Sequence, residues 1–309
     1  MRRIGNYTKF SKHFKFGTVF AVVSVKRFVM KIGIDFTDII SYTANMAKGM
    51  DDKLYFLSKI NFEKGQRYFF VDFGCADGAM ISAMYEILSS KGVYATYVGY
   101  DISDEMINLA KTKFDFDTTD VMFTSNWNDV ESALSENKYY TKVLILSSII
   151  HELYSYSKYE EQITEFWNRV TNSGFDYVCL RDMMCSSDAD RYTPNRILLR
   201  FNQKIENNKV IQDLLKSFED KWGSIEHNKN FMHFMLKYRW KINWDREVNE
   251  NYFPRYLEEI MDKFAEKYNT NYMERFRVPF LDECIKNDFD ITLDDYTHVK
   301  AIFEKKKEG

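Results

Sequence analysis

The chain has little proline: three residues in 309, Pro194, Pro254 and Pro279, none adjacent to another. Glycine is also sparse, at twelve, and no Pro-, Gly- or Ser-rich stretch reads as a linker, a low-complexity tract or an internal repeat. The four cysteines, Cys75, Cys179, Cys185 and Cys284, form no C-x-x-C pair. Zinc is therefore not expected, and reduced thiols in a cytoplasmic protein are. No apolar run approaches the roughly 20 residues that cross a bilayer. The apolar stretch from Phe16 to Val25 is short, runs into Lys26 and Arg27, and lacks a small-residue cleavage site, so a signal peptide is not expected. Neither charge sign dominates. A net charge of −3 argues against a generic nucleic-acid binder, although a local basic patch stays open. Apolar residues are plentiful, at 45% with 17% aromatic, enough to core one large domain or a domain with an insertion.

The most informative segment is YFFVDFGCADG, Tyr68 to Gly78, followed by Asp101 in GYDIS. It reads as a buried strand, a glycine-bearing turn, a helix and a second strand ending in an acid. Gly74 and Gly78 are expected to let a ligand approach the main chain without meeting a Cβ. Met80, Ile81, Met84, Ile87 and Leu88 fall on one helical face. A dinucleotide site would need G-x-G-x-x-G. That spacing fails here, because Ala76 and Ala79 occupy the second and third glycine positions.

The segment resembles the cofactor site of class I S-adenosylmethionine (SAM) dependent methyltransferases, with Ala76 standing where many members carry glycine. The resemblance implies that Asp72 serves the methionyl ammonium end and that Gly74, Cys75, Ala76 and Gly78 form a backbone cradle. It implies that Asp101, with Ile102 beside it, meets the ribose end. Asn126 and Trp127 fall where the family touches adenine, Asn126 at its edge and Trp127 on its face. Ser147 to Leu153, SSIIHEL, ends the fourth strand at the edge where open α/β sheets bind ligands. Ser147 is assigned to the cofactor. His151 is the candidate base, since an imidazole titrates near neutrality. Glu152 is a candidate substrate contact. Arg181, after the fifth strand, is a candidate grip for an anionic part of the substrate, unless it pairs with the adjacent Asp182.

The expected fold is α/β, a parallel twisted sheet wound by helices on both faces. Residues 1–50 would be an N-terminal arm and the start of an approach helix (Ile39 to Ile60), with Met30 offering a second start. The cofactor core would span 51–183, and Ser157 with Glu160 would cap its last helix as an S-x-x-E box. A helical insertion at 184–270, between strands five and six, would form a substrate lid. Residues 271–309 would supply a C-terminal hairpin with the antiparallel strand that the family resemblance implies. Phe231 to Arg255 interleaves aromatics with cations, as single-stranded nucleic acid requires, but a helix burying one aromatic side is the favoured reading.

The resemblance implies methyl transfer. The chain lacks an N/D-P-P-Y/F motif and a Pro-Cys nucleophile, which argues against DNA amine methylation and pyrimidine C5 methylation. An O- or N-methylation of a small molecule is expected, with RNA as the second acceptor class and a non-catalytic SAM sensor or partner subunit as the rival of another kind. No membrane partner is expected, and the oligomeric state is left open.

Overall fold

The computed structural model describes residues 49–114 and 118–307. The chain divides into two compact units, Met1–Asp52 and Lys53–Gly309, and the sheet and its helices belong to the second. The expected arm and the expected approach helix up to residue 48 lie outside the described residues. From 49 to 60 there is no continuous helix but a single helical turn, Met50–Lys53, and a 3-10 turn, Tyr55–Ser58.

Aromatic and β-branched runs form the strands β1 (Arg67–Phe73), β2 (Tyr94–Tyr100), β3 (Val121–Thr124), β4 (Thr141–Ser147) and β5 (Tyr177–Met183). With β6 (Tyr268–Phe276) and β7 (His298–Lys305) they make a seven-stranded sheet in the order β3-β2-β1-β4-β5-β7-β6. Strands β1 to β5 pair in parallel, and β7 runs antiparallel between β5 and β6. The crossovers carry α1 (Ala79–Ser90), α2 (Asp104–Lys113), α3 (Trp127–Glu136), α4 (Ile150–Tyr156) and α5 (Glu160–Asn172). The expected α/β architecture with one antiparallel C-terminal strand is observed.

Three local expectations are corrected. β5 runs on to Met183, so Arg181 and Asp182 lie inside the strand and point to opposite faces. Helix α5 is entered through Tyr159, whose amide donates to Gln162 Oε1, while Ser157 instead terminates α4. The C-terminal strands are not a tight hairpin, because α10 (Pro279–Phe289) lies between them.

Two apolar cores explain the layout. One packs α3, α5 and α9 (Leu257–Ala265) on the sheet through Val130, Phe166, Val170, Ile260 and Phe264. The other joins α6 (Asn195–Ile205), α7 (Lys209–Trp222) and α8 (Asn228–Lys237) to Ile285 and Phe289 of α10. The helical block is thus built from two chain segments. The last helix of the expected insertion, α9, belongs to the sheet core, since its Leu257, Ile260 and Phe264 stripe has a sheet face to cover.

Phe264 is 1% exposed and stacks on Phe303 of β7, ring centroids 3.9 Å apart. Phe264→Ala should cost about 3–5 kcal/mol of stability, the usual scale for emptying an aromatic core site. Urea unfolding of the full chain measures it. A loss below about 1 kcal/mol would return α9 to the lid.

Candidate active site

Sheet order reverses between β1 and β4, which opens a crevice at their carboxyl ends. The loop from Gly74 to Gly78 closes one side of it. Gly74 N and Cys75 N both donate to Tyr100 O, at 2.7 and 3.0 Å, and Ala76 N donates to Asp101 Oδ2 at 2.9 Å. The loop is therefore fastened to the end of β2. Gly74 and Gly78 have φ of +79° and +76°, conformations that side chains resist. The space left by their missing Cβ atoms is filled by the chain itself, not by a ligand as the sequence alone suggests. A Cβ at Gly74 would lie 2.6 Å from Ile149 Cδ1, and one at Gly78 would lie 2.8 Å from the Phe123 ring. These glycines let the chain pack on itself. Ala76 holds the left-handed conformation too, at φ +46°. Burial pushes the Cys75 thiol well up, so it is no nucleophile here.

Asp72 ends β1 in an unusual state. It is 1% exposed, and neither carboxylate oxygen has a hydrogen-bond partner among the described residues. Burial, countered in part by Lys53 and reinforced by Asp101 and Asp77, lifts its pKa from 3.8 to about 7. Burial, with Arg181 nearby, in turn lowers Lys53. Ser147 Oγ is likewise buried without a partner, and the pairing of Asp72 with Ile145 puts Asp72 and Ser147 on one sheet face. Orphaned acceptors of this kind are expensive unless a ligand completes them. Acidic Asp72, near the end of β1, and Asp101, just after β2, stand at the crevice, which suits a cation and repels a pyrophosphate, while Asp77 is paired with Lys113. An ammonium and a sulfonium fit this donor set.

Asp101 Oδ1 accepts from Ser103 N at 2.9 Å, which leaves lone pairs on both oxygens for ribose hydroxyls. Beside it Ile102 is 83% exposed, an apolar side chain at the ligand edge. Asn126 is exposed and caps α3, its Oδ1 accepting from Asn128 N at 3.1 Å. Trp127 requires correction as an adenine platform. It is 5% exposed, packed against Phe73 and Tyr100, with the Arg169 guanidinium 5.2 Å from its ring. As the first residue of an amphipathic helix, it turns to the core.

His151, 4% exposed, is brought onto β5's residue Asp182, with Nδ1 to Oδ1 at 2.6 Å. Asp182 is fully buried and also accepts from Ile150 N and Met183 N, each at 2.7 Å. Burial alone would lower His151, but Asp182, Glu152 and Glu250 outweigh it and raise its pKa above 6.5. Burial would raise Asp182, yet His151 and the amides hold it below 3.8. Arg181, pointing the other way, donates to Ser148 Oγ at 3.1 Å and so does not pair with Asp182. Ser148 has φ +60°, a strained position for a serine at the ligand edge. Glu152 is half-buried and meets Arg246 at 3.5 Å. Nothing in the local sequence marks Lys53 or Ser148. Asp182 was legible only through the strand's alternation, had its end been placed at Met183.

The first half of the aromatic and basic stretch is core, while residues 239–249 are exposed or half-buried. Phe231, Met232, Phe234, Met235 and Leu236 are buried, and Arg239, Arg246 and Arg255 pair with Asp288, Glu250 and Glu259. Even Lys237 is 0% exposed, its Nζ bonded to the Glu247 and Glu250 carbonyls.

Because the folded pKa of Asp72 lies above its unfolded value, its contribution favours folding below about pH 3.8 and is lost as pH rises to about 7. Asp72→Asn should therefore raise the melting temperature at pH 8, with a gain of up to about 4 kcal/mol that shrinks to about 0.5 kcal/mol at pH 4. Calorimetric melts at both values check this. A variant less stable at pH 8 would contradict the buried-charge assignment.

A family model described as a methyltransferase domain matches residues 42–275. No curated protein matches the sequence. Among solved structures, a SAM-dependent methyltransferase from Anabaena variabilis is similar at 10% identity, covering 88% of this chain and 96% of its own, TM-score 0.43. The plantazolicin methyltransferase BpumL, solved with SAH, shares 15% identity over 84% of this chain and 82% of its own, TM-score 0.40. The bifunctional kinase-methyltransferase WbdD shares 23% identity over 45% of this chain and only 28% of its own, TM-score 0.29. With the family match spanning most of the chain and an acid-lined crevice at the switch point, the protein belongs to the methyltransferase domain family and is a SAM-dependent methyltransferase.

Proposed function

We propose that the protein methylates an oxygen or nitrogen of a small-molecule acceptor, with His151 as the base that removes the acceptor's proton. The observation that carries this reading is a buried imidazole, set by a buried carboxylate, at the carboxyl end of β4. Bound in the crevice, SAM supplies a methyl group activated by its sulfonium. Asp72 and Ser147 would hold the methionyl end, and Asp101, with Ile102 alongside, the ribose end. The Gly74–Gly78 loop and Asn126 would border the cofactor.

Methyl transfer is an in-line displacement, so most of the rate comes from aligning the acceptor and excluding water. The chain's own chemistry is then the proton. A hydroxyl or a protonated amine must lose one, and His151 would accept it, with Glu152 bordering the acceptor. Arg181, on the opposite face, is the candidate for an anionic substituent. A small acceptor is favoured over RNA because the net charge is −3, the aromatic residues Phe231, Phe234 and Phe253 are buried, and Arg239, Arg246 and Arg255 are paired with acids. The helical block, with its own core, would cover the acceptor.

His151→Ala should leave SAM affinity within about twofold and lower turnover roughly 10²–10⁴-fold, the range for a positioned proton acceptor. At saturating SAM, wild-type turnover should fall at low pH through one ionisation above pH 6.5, because the imidazole's pKa is raised. That ionisation should be missing in the variant. Near-normal turnover of His151→Ala on any fractionated metabolite acceptor would sink the assignment. Asp101→Ala should weaken SAM by about 1.5–3 kcal/mol, read by titration calorimetry; unchanged affinity in the folded variant would exclude the ribose contact.

A further inference from the structure

Asp182 is adjacent in sequence to a candidate substrate residue, yet the fold gives it different work. We propose that Asp182 is a positioning residue that locks His151 in the Nδ1–H tautomer, so that Nε2 is the nitrogen that takes the acceptor's proton. This rests on His151 being the base.

The geometry leaves few alternatives. An ionised carboxylate accepts hydrogen bonds and cannot donate one. Asp182 Oδ1 lies 2.6 Å from His151 Nδ1, so Nδ1 must carry the hydrogen whether the ring is neutral or charged. In the neutral ring the lone pair then falls on Nε2. The carboxylate itself is held from several sides. Oδ2 accepts from Ile150 N at 2.7 Å and more weakly from His151 N at 3.4 Å, and Oδ1 accepts from Met183 N at 2.7 Å. The same side chain thus pins the first turn of α4, which carries His151, and the ring on it. One further contact fixes the ring plane: Tyr252 meets the imidazole edge-on, centroids 5.8 Å apart at 81°. Tyr252 is held in turn by Glu247 through its hydroxyl and by Lys237 Nζ, 3.9 Å from its ring centroid. The charged groups facing the imidazole are Asp182 from β5, Glu152 from α4 and Glu250 from the segment before α9. All three favour the imidazolium that forms when the proton arrives.

A carboxylate that served only to cap α4 would predict something else. Asparagine could still accept from the amide of Ile150 through its one carbonyl oxygen, and turnover would survive. If Asp182 sets the tautomer, asparagine fails, because its amide nitrogen can donate to Nδ1 and put the hydrogen on Nε2.

The test uses the full-length protein labelled with ¹⁵N-histidine, with the His151 signals assigned by their loss in His151→Gln. Wild-type His151 should show a protonated Nδ1 and an unprotonated Nε2 above its pKa. Asp182→Asn should shift the ring toward the Nε2–H form and lower its pKa, since burial then acts without the carboxylate. In steady-state kinetics Asp182→Asn should lower kcat roughly 10²–10³-fold, leave KM for SAM within about twofold, and move the acid limb of the pH profile to lower pH. An Nε2–H tautomer in the wild type would overturn the proposal. So would Asp182→Asn with full turnover and an unmoved acid limb, if His151→Ala is inactive. Should both variants keep full turnover, His151 is not the base and the inference falls with that reading. If Asp182→Asn does not fold, the wild-type tautomer decides alone.

Discussion

Everything at this site is organised around one incompletely compensated carboxylate. Asp72 is enclosed at the end of the central strand, with neither oxygen bonded among the described residues and a pKa near 7. A protein that only needed to fold would replace it, because an orphaned buried carboxylate costs free energy that an amide or an alkyl group would not. Its neighbours deepen the cost: Asp77 and Asp101 push its pKa up, and Lys53 relieves only part. That arrangement makes sense when the missing partner is a cation delivered by a ligand. It also accounts for the loop, whose amides are spent on Tyr100 and Asp101 and so hold the acids in place instead of offering donors to a phosphate.

The second organising feature is the alternation of side chains along β4 and β5. On one face lie Asp72, Ser147 and Arg181, in register through the pairings of β1 with β4 and β4 with β5. On the other lies Asp182, which reaches His151. Asp72 and Ser147 on one face and the Asp182–His151 pair on the other therefore meet only at the carboxyl edge of the sheet. The strained Ser148 sits at that edge, between the two.

Much of this was legible in the sequence where a local rule applied. Strand and helix periods gave the alternating core, and the Asp72 to Gly78 motif with Asp101 located the crevice. Local rules erred where tertiary contacts decide. Trp127 follows Asn126 in a stretch that could have faced a ligand, but its helix turns it into an aromatic cluster. Local sequence makes the loop glycines look like ligand space, whereas Ile149 and Phe123, 75 and 45 positions further on in sequence, occupy it. The segment between β6 and β7 carries no signal that its helix joins a block formed 80 residues earlier. The Asp182 partnership depended on a strand end three residues beyond where composition placed it.

The central claim is that Asp72 awaits the cofactor's positive charge, and its most direct test is calorimetry of SAM binding in buffers of different ionisation enthalpy, from about pH 5.5 to about pH 7. Free Asp72 is protonated at the low end, since its pKa is about 7. Pairing with a cation must drive that proton off. The prediction is release of close to one proton per SAM near pH 5.5, falling toward half near pH 7, with affinity rising across the window and the release absent in Asp72→Asn. Affinity that is flat or falls with pH, or proton release that persists in Asp72→Asn, would contradict it.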